Sequence, residues 1–593
     1  RDDVESRGLG DVYKRQVIST TITLVAVFFP IVFMDGTTGR LFREFSIVVS
    51  GSVIISSFAA LTFTPMLATK LLIKREQQSW FYRKTEPFFE GMNRVYSQSL
   101  AAFLKRRWIA LPFTIVTILL IGVLWNTIPA EMAPLEDRSQ ISINTMGAEG
   151  VTYEYIRDYT EDINHLVDSI IPDAEAVTAR VSSGSGNVRI TLKDMKDRDY
   201  TQMEVAEKLS KAVQKKTMAR SFVQQSSSFG GRRGGMPVQY VLQATNIEKL
   251  QEVLPKFMTK VYENPVFQMA DVNLKFSKPE ARININRDKA SIMGVSTKNI
   301  AQTLQYGLSG QRMGYFYMNG KQYEILGEIN RQQRNKPADL KGIYIRSSQG
   351  DMVQLDNLIE LTDGIAPPKL YRYNRFVSAT ISAGLADGKT IGQGLDEMDK
   401  IAKETLDDTF RTALTGDSKE YRESSSSLMF AFILAILLIY LILAAQFESF
   451  KDPLIIMLTV PLAIAGALVF MYFGDITMNI FSQIGIIMLI GLVAKNGILI
   501  VEFANQKQEA GEDKMQAIKD AALQRLRPIL MTSASTVLGL IPLAFATGEG
   551  CNQRIAMGTA VVGGMLVSTL LTMYIVPAIY SYVSTNRSKL KNE

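Results

Sequence analysis

Long apolar runs alternate with charged segments along the 593 residues of this chain. A run of about 18 or more predominantly apolar residues is long enough to cross a bilayer as an α-helix. Eight runs meet that criterion, at residues 17–34, 45–70, 109–128, 428–447, 453–473, 480–503, 529–546 and 555–582. The pattern therefore predicts a polytopic α-helical membrane protein in which residues 129–427 form a large part outside the membrane.

Lysine and arginine residues are concentrated in short segments beside these runs, which is the charge pattern that sets membrane topology. The segment 71–107 is strongly basic, so the positive-inside rule places it in the cytoplasm. Alternation then places residues 129–427 outside the cytoplasm and residues 504–528 inside it. Because this topology explains the net charge of +7, we expect a lipid membrane as partner and no nucleic acid.

Aromatic and basic residues alternate at roughly helical spacing within the cytoplasmic segment, in "WFYRKTEPFFEGMNRVYSQSLAAFL". This spacing is typical of an amphipathic helix that lies on a membrane surface. The alternative is a linker helix packed on the helix bundle. We favour a surface helix that also serves as the linker.

Short strand patterns alternate with helical patterns in residues 129–427, which predicts an α+β fold. A first set predicts a split β-α-β unit, with strands at 139–147, 175–183 and 187–193 and helices at 152–171 and 201–216. A second set predicts another unit, with strands at 237–245, 281–288 and 376–384 and helices at 246–263, 297–308 and 391–406. A hairpin-rich insert interrupts the second set, and its Asn319-Gly320 pair is a strong signal for a two-residue turn.

The first and last apolar helix pairs resemble each other. "FFPIVFMDGTTG" at 28–39 shares Pro-x-x-Phe with "LIPLAFATGEG" at 540–550, and a second proline follows each first proline after the same interval, as Pro65 and Pro577. The offset between the copies is constant at 512 residues (577 − 65). Two helix pairs with shared prolines and spacing predict a tandem duplication, a common plan among transporters.

"IGLVAKNGILIVEF" at 490–503 places Lys495 inside an apolar run that is long enough to cross a membrane. A charged residue at bilayer depth is costly and is by default a functional site. The alternative is a purely structural buried ion pair. At the offset of 512, the duplicate of this helix would precede residue 1. We therefore expect a helix with adjacent acidic residues to be encoded upstream, and we expect residues 1–16 to be a foreign or artefactual head.

The chain offers little material for enzyme chemistry. One cysteine, Cys551, allows no intrachain disulfide and no cysteine-based metal cluster. His165 lies in a polar helix and is most simply solvated. We find no nucleophile-base pair, metal cluster or phosphate-binding loop, so the sequence predicts a non-enzyme without a cofactor or a bound metal.

Three segments carry a family resemblance: "GLVAKNGILIVEFANQ", "RLRPILMTS" and "ESFKDPLIIMLTVPLAIAGAL". They resemble the second half of an inner-membrane pump subunit of the resistance-nodulation-division (RND) superfamily, in the hydrophobe and amphiphile efflux branch that includes the acriflavine-resistance pumps. The resemblance runs from about Val17 to the C-terminus. It implies a full chain with about twelve membrane helices and two large periplasmic loops, of which this C-terminal fragment would hold helices five to twelve and the second loop.

The resemblance implies a division of the chain into segments. These are the head 1–16, helices five and six at 17–70, the amphipathic linker helix at 71–107, helix seven at 108–128, a first ferredoxin-like porter subdomain at 129–235, a second at 236–308 and 368–427, a docking subdomain at 309–367, helices eight to twelve at 428–582, and a cytoplasmic tail at 583–593.

The resemblance also implies a proton-driven drug antiporter of the bacterial inner membrane. Its proton relay would use Lys495, Arg525 and Thr532, with an aspartate pair in a helix that this sequence does not contain. Its partners would be two further copies in a homotrimer, a periplasmic adaptor and an outer-membrane channel, with Asn319 and Gly320 in the docking hairpin. Metal-ion efflux and a protein-export accessory of the same superfamily are the alternatives.

Two relay residues have simpler explanations, and the substrate loop is shorter than in the family. Arg525 would also serve as a positive-inside anchor, and Thr532 would also bond a carbonyl of its own helix. Where drug-transporting members have a long loop rich in glycine and phenylalanine, this chain has only "SSGSGN". The substrate-binding candidates there are Ser182, Ser183, Gly184 and Asn187, and the lost aromatic rings weaken the case for planar drugs.

Overall fold

The chain is described by a computed structural model over residues 2–34, 36–71, 80–225, 236–366, 369–386 and 388–585. For residues 2–16, 37, 71, 80–85 and 366 only the backbone is described. The structure has a bundle of long apolar helices formed by both ends of the chain, with a mixed α/β part inserted between them.

Four helices precede the α/β part: α1 (Asp2–Val32), α2 (Gly36–Leu71), α3 (Trp80–Lys105) and α4 (Ala110–Thr127). The predicted start of the first helix at Val17 is wrong, because α1 continues without a break from Asp2. Residues 2–16 contain no proline, so nothing in them removes a helical hydrogen bond. Among the residues of α1 whose side chains are described, the apolar part is Val17–Val32, and it is shorter than the candidate membrane spans found elsewhere in the described residues.

Helix α3, which covers most of the predicted linker, packs on the bundle through one face. Tyr96, Leu100 and Leu104 are buried on that face, and the Tyr96 hydroxyl donates a hydrogen bond of 2.7 Å to the carbonyl of Met573. The helix therefore packs on the bundle as a linker, and the contact of its other face with a membrane surface stays a prediction. Residues 72–79 of the predicted linker lie outside the described residues.

The first α/β unit has the element order β-α-β-β-α-β. Its elements are β1 (Gln140–Met146), α5 (Tyr153–Ile170), β2 (Ala176–Ser182), β3 (Ser185–Thr191), α6 (Gln202–Val213) and β4 (Arg220–Gln225). The sheet order is β2-β3-β1-β4 and every pair is antiparallel. Both helices cover one face of the sheet, where Ile141, Ile143, Val188 and Ile190 are buried. The edge strand β4 was not predicted.

The second unit and its insert follow in the chain. The elements are β5 (Val238–Ala244), α7 (Ile247–Glu263), β6 (Phe267–Val272), β7 (Lys278–Ile285), α8 (Arg287–Ile292), α9 (Thr297–Leu308), β8 (Gln311–Met318), β9 (Lys321–Gly327), β10 (Tyr344–Arg346), β11 (Met352–Gln354), β12 (Ile359–Ala366), β13 (Arg372–Tyr373), β14 (Phe376–Leu385), α10 (Ile391–Thr405) and β15 (Arg411–Leu414). Strands β13, β14, β5 and β15 lie in that order, and β6 pairs with residues 381–385 of β14 on the edge opposite β5.

The insert begins earlier than predicted. The strand predicted at 281–288 and the helix at 297–308 were assigned to the second unit, and this is wrong. Strand β7 pairs with β12 rather than with the second sheet, and Ile300 of α9 is buried with Ile345 and Leu358 of the insert. A strand pattern does not specify its partner strand, so this long-range pairing could not be read from residues 281–288 alone.

Six helices follow the α/β part: α11 (Gly416–Phe447), α12 (Lys451–Met457), α13 (Thr459–Phe473), α14 (Ile480–Glu509), α15 (Lys514–Ala544) and α16 (Cys551–Val583). By length and composition, seven helical segments among the described residues can cross a membrane, with α12 and α13 forming one of them. The sequence predicted eight. The difference is α1, whose described apolar part is the shorter one.

The first helices of the two duplicated pairs end at corresponding residues. Helices α1 and α15 end 512 residues apart, at Val32 and Ala544 (544 − 32). The shared offset therefore extends from the sequence motif to the ends of these two helices, as a tandem duplication requires.

Helix α14 lies at the centre of the bundle and contacts α1, α11, α12, α13, α15 and α16. Glycines allow the closest approaches. A Cβ atom at Gly564 of α16 would lie 2.9 Å from the carbonyl oxygen of Ala463 in α13 and 2.1 Å from a methyl group of Leu489 in α14. Small residues at such interfaces let helix backbones pack closely where no hydrophobic driving force brings them together.

We expect Gly564→Ala to destabilise the bundle by about 1–3 kcal/mol, because overpacking a close contact forces backbone shifts. The matched control is Gly539→Ala on α15, where a Cβ atom would meet no other atom within 4 Å. The measurement is the thermal aggregation midpoint of the detergent-solubilised chain. A midpoint for Gly564→Ala equal to that of the control would contradict the close packing of α13, α14 and α16.

Candidate functional site

Helix α14 fixes the position of Lys495. The helix begins with a capping box, in which the Asn479 side chain accepts hydrogen bonds from the backbone N–H groups of Phe481 and Ser482. Gly491 lies one turn before Lys495, and a Cβ atom there would be 2.9 Å from a methyl group of Val27 in α1. Residues four apart share a helix face, so Lys495 lies on the side of α14 that α1 covers.

The Lys495 side chain is half-buried and forms no hydrogen bond or ion pair with any described residue. An ammonium group at this depth needs a partner, since the bilayer offers no water to solvate it. The described part of the chain therefore presents a cation without its counter-ion. The acidic partners that the resemblance implies are not among these residues.

A small polar network lies beside Lys495. The Asn496 amide donates to the Ser533 hydroxyl of α15 at 3.3 Å and to the Thr569 hydroxyl of α16 at 3.4 Å. Thr569 donates in turn to Ser533 at 3.1 Å. All three side chains are buried. One turn further along α16, the buried Thr572 hydroxyl has no partner among the described residues.

Arg525 and Thr532 are both on α15, but neither contacts Lys495 through a hydrogen bond or ion pair. The Arg525 guanidinium lies over the ring of Phe503, 4.5 Å from its centroid. The Thr532 hydroxyl donates to the carbonyl of Ile529, one turn back in its own helix, at 3.1 Å. The neighbour of Thr532, Ser533, is the residue that reaches the network beside Lys495.

A second polar network, which was not predicted from the sequence, lies at the other end of α14. The Asn505 amide donates to the carboxylate of Asp452 at 3.0 Å, and the Tyr580 hydroxyl donates to the Asn505 carbonyl. The Gln508 amide donates to the Tyr580 hydroxyl at 2.7 Å. All four side chains are buried, so α12, α14 and α16 are joined by hydrogen bonds that water does not share.

The predicted substrate-loop residues form the tip of a hairpin. Ser182 ends β2, Ser185 begins β3, and Ser183 and Gly184 make the two-residue turn between them. Gly184 has a φ of +81°, which glycine adopts without strain. The side chain of Asn187 lies on the sheet face opposite the helices and donates to Asn144 at 2.7 Å.

The structure also contains the predicted Asn319-Gly320 turn, between β8 and β9. Both residues have positive φ values, 52° and 72°, as a two-residue hairpin turn requires. The large apolar side chains of this hairpin are exposed, including Tyr317 at 77% of its surface and Met313 at 67%. An exposed apolar surface of this kind marks an interaction site.

A cleft of about 650 Å³ separates the two α/β units. Four methionines and one aromatic ring contribute apolar surface: Met132, Met203, Met236, Met269 and Phe222. Glu131 also lines the cleft, and its carboxylate accepts a hydrogen bond from Thr477. Burial raises the pKa of Glu131, and the hydrogen bond from Thr477 opposes this shift.

Tyr580→Phe removes the hydroxyl that Asn505 and Gln508 share, and we expect a loss of about 1–3 kcal/mol because buried polar groups lose a partner. The matched control is Tyr582→Phe, since Tyr582 is exposed and its ring over Arg107 is retained. The measurement is again the thermal aggregation midpoint in detergent. Equal midpoints for the two variants would show that the network does not stabilise the bundle.

Comparisons with known proteins identify the family. A model of the AcrB/AcrD/AcrF family matches residues 5–584. An uncharacterized transporter of Haemophilus influenzae is 31% identical over 584 residues, which cover 97% of this chain and 57% of that protein. The chain therefore spans a little more than half the length of this relative. It belongs to the AcrB/AcrD/AcrF family of transporters, within the RND superfamily.

Proposed function

We propose that this chain is the larger part of a proton-driven efflux subunit that exports hydrophobic or amphiphilic compounds across the bacterial envelope. The observation that carries the proposal is Lys495, a cation without a described counter-ion in the central helix of a membrane bundle. Ionisable residues inside membrane-spanning segments mark ion pathways, proton relays and similar functional sites. Family membership supports transport as the activity.

We use 'the completed chain' for this sequence extended by the helix with acidic residues that we expect upstream. In this proposal, carboxylates of the completed chain hold the Lys495 ammonium, and protonation of one carboxylate releases it. The release changes the relative stability of two helix arrangements. Asn496 is adjacent to Lys495 and joins α14 to Ser533 and Thr569. A displacement of Lys495 therefore changes contacts on three helices together. Arg525 and Thr532 are assigned a supporting role on the cytoplasmic side of the path.

Helix α14 also connects the relay to the cleft between the α/β units. Its cap Asn479 directly follows Met478, whose carbonyl accepts a hydrogen bond of 3.0 Å from the N–H group of Glu131. Glu131 lines the cleft. In our proposal, a shift of α14 along its axis therefore moves one wall of the cleft, which couples protonation to substrate passage.

The apolar lining of the cleft supports amphiphiles as substrates, because methionine side chains adapt to ligands of different shape. The same methionines favour one alternative, the export of a soft metal ion such as Cu(I), which thioethers bind. Growth of cells that produce the completed chain distinguishes the two. Protection against amphiphilic detergents supports the proposal, whereas protection against silver or copper alone supports metal efflux.

We also propose the homotrimeric assembly of the family, in the bacterial inner membrane, with a periplasmic adaptor and an outer-membrane channel as partners. The exposed hairpin β8–β9 is the proposed docking element. A two-stranded hairpin is only marginally stable by itself, so contact with a partner would stabilise it. Within the hairpin, the rings of Phe316 and Tyr323 stack with their centroids 5.3 Å apart. Exposed aromatic residues of this kind are enriched at protein interfaces.

We expect Lys495→Met to abolish efflux in the completed chain while abundance stays near normal. Methionine retains the apolar stem but removes the charge, so the carboxylates lose the partner that favours their ionised form. The control is Lys507→Met on the same helix, because Lys507 already pairs with Glu512 at 2.8 Å. Arg525→Ala should impair efflux less, and Thr532→Ala less still.

The measurement for these variants is proton-gradient-driven efflux in inverted membrane vesicles, with protein abundance measured in parallel. Wild-type efflux by the Lys495→Met protein would refute the relay. Loss of the protein itself would instead support a structural ion pair at Lys495.

Deletion of residues 315–326 should abolish crosslinking to the adaptor, since it removes the exposed strands and the turn of the docking hairpin. Membrane insertion should be retained, because the deleted residues lie outside the bundle. The control is Tyr344→Ser on β10, an exposed aromatic residue elsewhere in the insert. Crosslinking that persists after the deletion would assign the hairpin a different role.

A further inference from the structure

The sheet of the first α/β unit has one face covered by helices and one face open. On the open face, paired residues form rows across the four strands. The central row runs Arg180, Asn187, Asn144 and Phe222, from β2 across β3 and β1 to β4. Because neighbouring strands lie about 4.8 Å apart, this row is about 14 Å long.

The amides in this row are held in a fixed orientation. Asn187 donates to the Asn144 carbonyl at 2.7 Å, and Asn144 donates to the Gln224 carbonyl on β4 at 2.8 Å. Each primary amide has two N–H donors, so Asn187 and Asn144 each retain one donor outside this ladder. The row therefore presents hydrogen-bond donors that the fold has already oriented.

The open face is positively charged. Arg180, Arg189 and Arg220 all project from it, and strands β1 to β4 contain no aspartate or glutamate. Arg220 is engaged by Tyr262 of the second unit. Arg180 and Arg189 form no ion pair or hydrogen bond with any described residue. Two guanidinium groups beside oriented N–H donors are complementary to an anion.

A groove of about 300 Å³ runs over this part of the sheet, between Arg180 at one end and Phe222 at the other. Phe222 and Met146 supply its apolar surface. Phe222 also lines the larger cleft between the units. The Ser183-Gly184 turn is tight, and Phe222 connects the groove to the cleft because it lines both of them.

We propose that this open face selects amphiphiles with an anionic headgroup, such as a carboxylate, sulfate or phosphate, among the substrates of the transporter. Arg180 and Arg189, with the amides of Asn187 and Asn144, bind the headgroup, and Phe222 contacts the apolar part. This inference rests on the proposed function, because it names the substrate class of the efflux subunit.

The test is equilibrium binding of two fluorescent probes to the full chain in nonionic detergent. Dansyl-undecanoate is the anionic probe and dansyl-undecylamine is the cationic one. We expect the chain to bind the anionic probe about tenfold more tightly than the cationic probe, because only the anionic headgroup accepts charge-assisted hydrogen bonds from the guanidinium groups. The double variant Arg180→Gln, Arg189→Gln should bind both probes with equal affinity.

Arg157→Gln is the matched control, because Arg157 is exposed on α5 and pairs with Asp158 away from the open face. It should retain the preference for the anionic probe. Equal affinity of the two probes for the wild-type chain would overturn the proposal. So would an unchanged preference in the double variant, or displacement of the probe by inorganic phosphate alone at concentrations near the dissociation constant of the probe.

The same binding measurement on the completed chain tests whether the open face remains accessible there. Retained binding of the anionic probe supports the proposal, whereas lost binding shows that another segment covers the open face and overturns it. Because binding requires no proton gradient, Lys495→Met should bind the anionic probe normally. Failure of efflux in that variant therefore tests the relay, and failure of the probe preference tests the open face.

Discussion

Burial of polar groups on the central helix is the constraint on which the rest of this structure depends. Helix α14 is covered by six other helices, and the interior of a membrane bundle offers little water to solvate a polar side chain. Each polar residue of α14 must therefore be bonded within the protein. Asn479 caps the helix start, Asn496 bonds Ser533 and Thr569, and Asn505 joins Asp452 and Tyr580.

Lys495 departs from this pattern, because it forms no hydrogen bond or ion pair with any described residue. Its nearest polar neighbour in the chain, Asn496, is already bonded to two hydroxyl groups, and no carboxylate with a described side chain forms an ion pair with Lys495. In the proposed relay, the partner of this cation is a carboxylate that changes its protonation state.

The membrane part could be predicted closely because its signals are local. Apolar length, basic flanks and repeated prolines each depend on a few neighbouring residues, and the observed ends of α1 and α15 follow the predicted offset. The network of Asp452, Asn505 and Tyr580 could not be predicted in this way. Its members are 53 and 75 residues apart, and only the packing of α12, α14 and α16 brings them together.

Long-range pairing also limited the prediction outside the membrane. The pattern of residues 281–288 indicates a strand, but its partner β12 lies beyond the whole hairpin region, so the strand was assigned to the wrong unit. The substrate candidates illustrate the same limit. Asn187 was identified from a shortened loop, whereas Asn144, Arg180 and Phe222 join it only through the register of the sheet.

The connection between the two parts of the molecule constrains how they can move. Helix α11 is bonded directly to the second unit. The Ser418 hydroxyl of α11 accepts a hydrogen bond of 2.8 Å from the backbone N–H group of Gln239 in β5 and donates one to the Pro237 carbonyl. The first unit is tied to the start of α14 through Glu131 and Met478. Each α/β unit is thus attached to a different helix of the bundle. Relative movement of α11 and α14 therefore acts on the cleft between the units, and the buried networks on α14 determine how far that helix can shift without breaking hydrogen bonds.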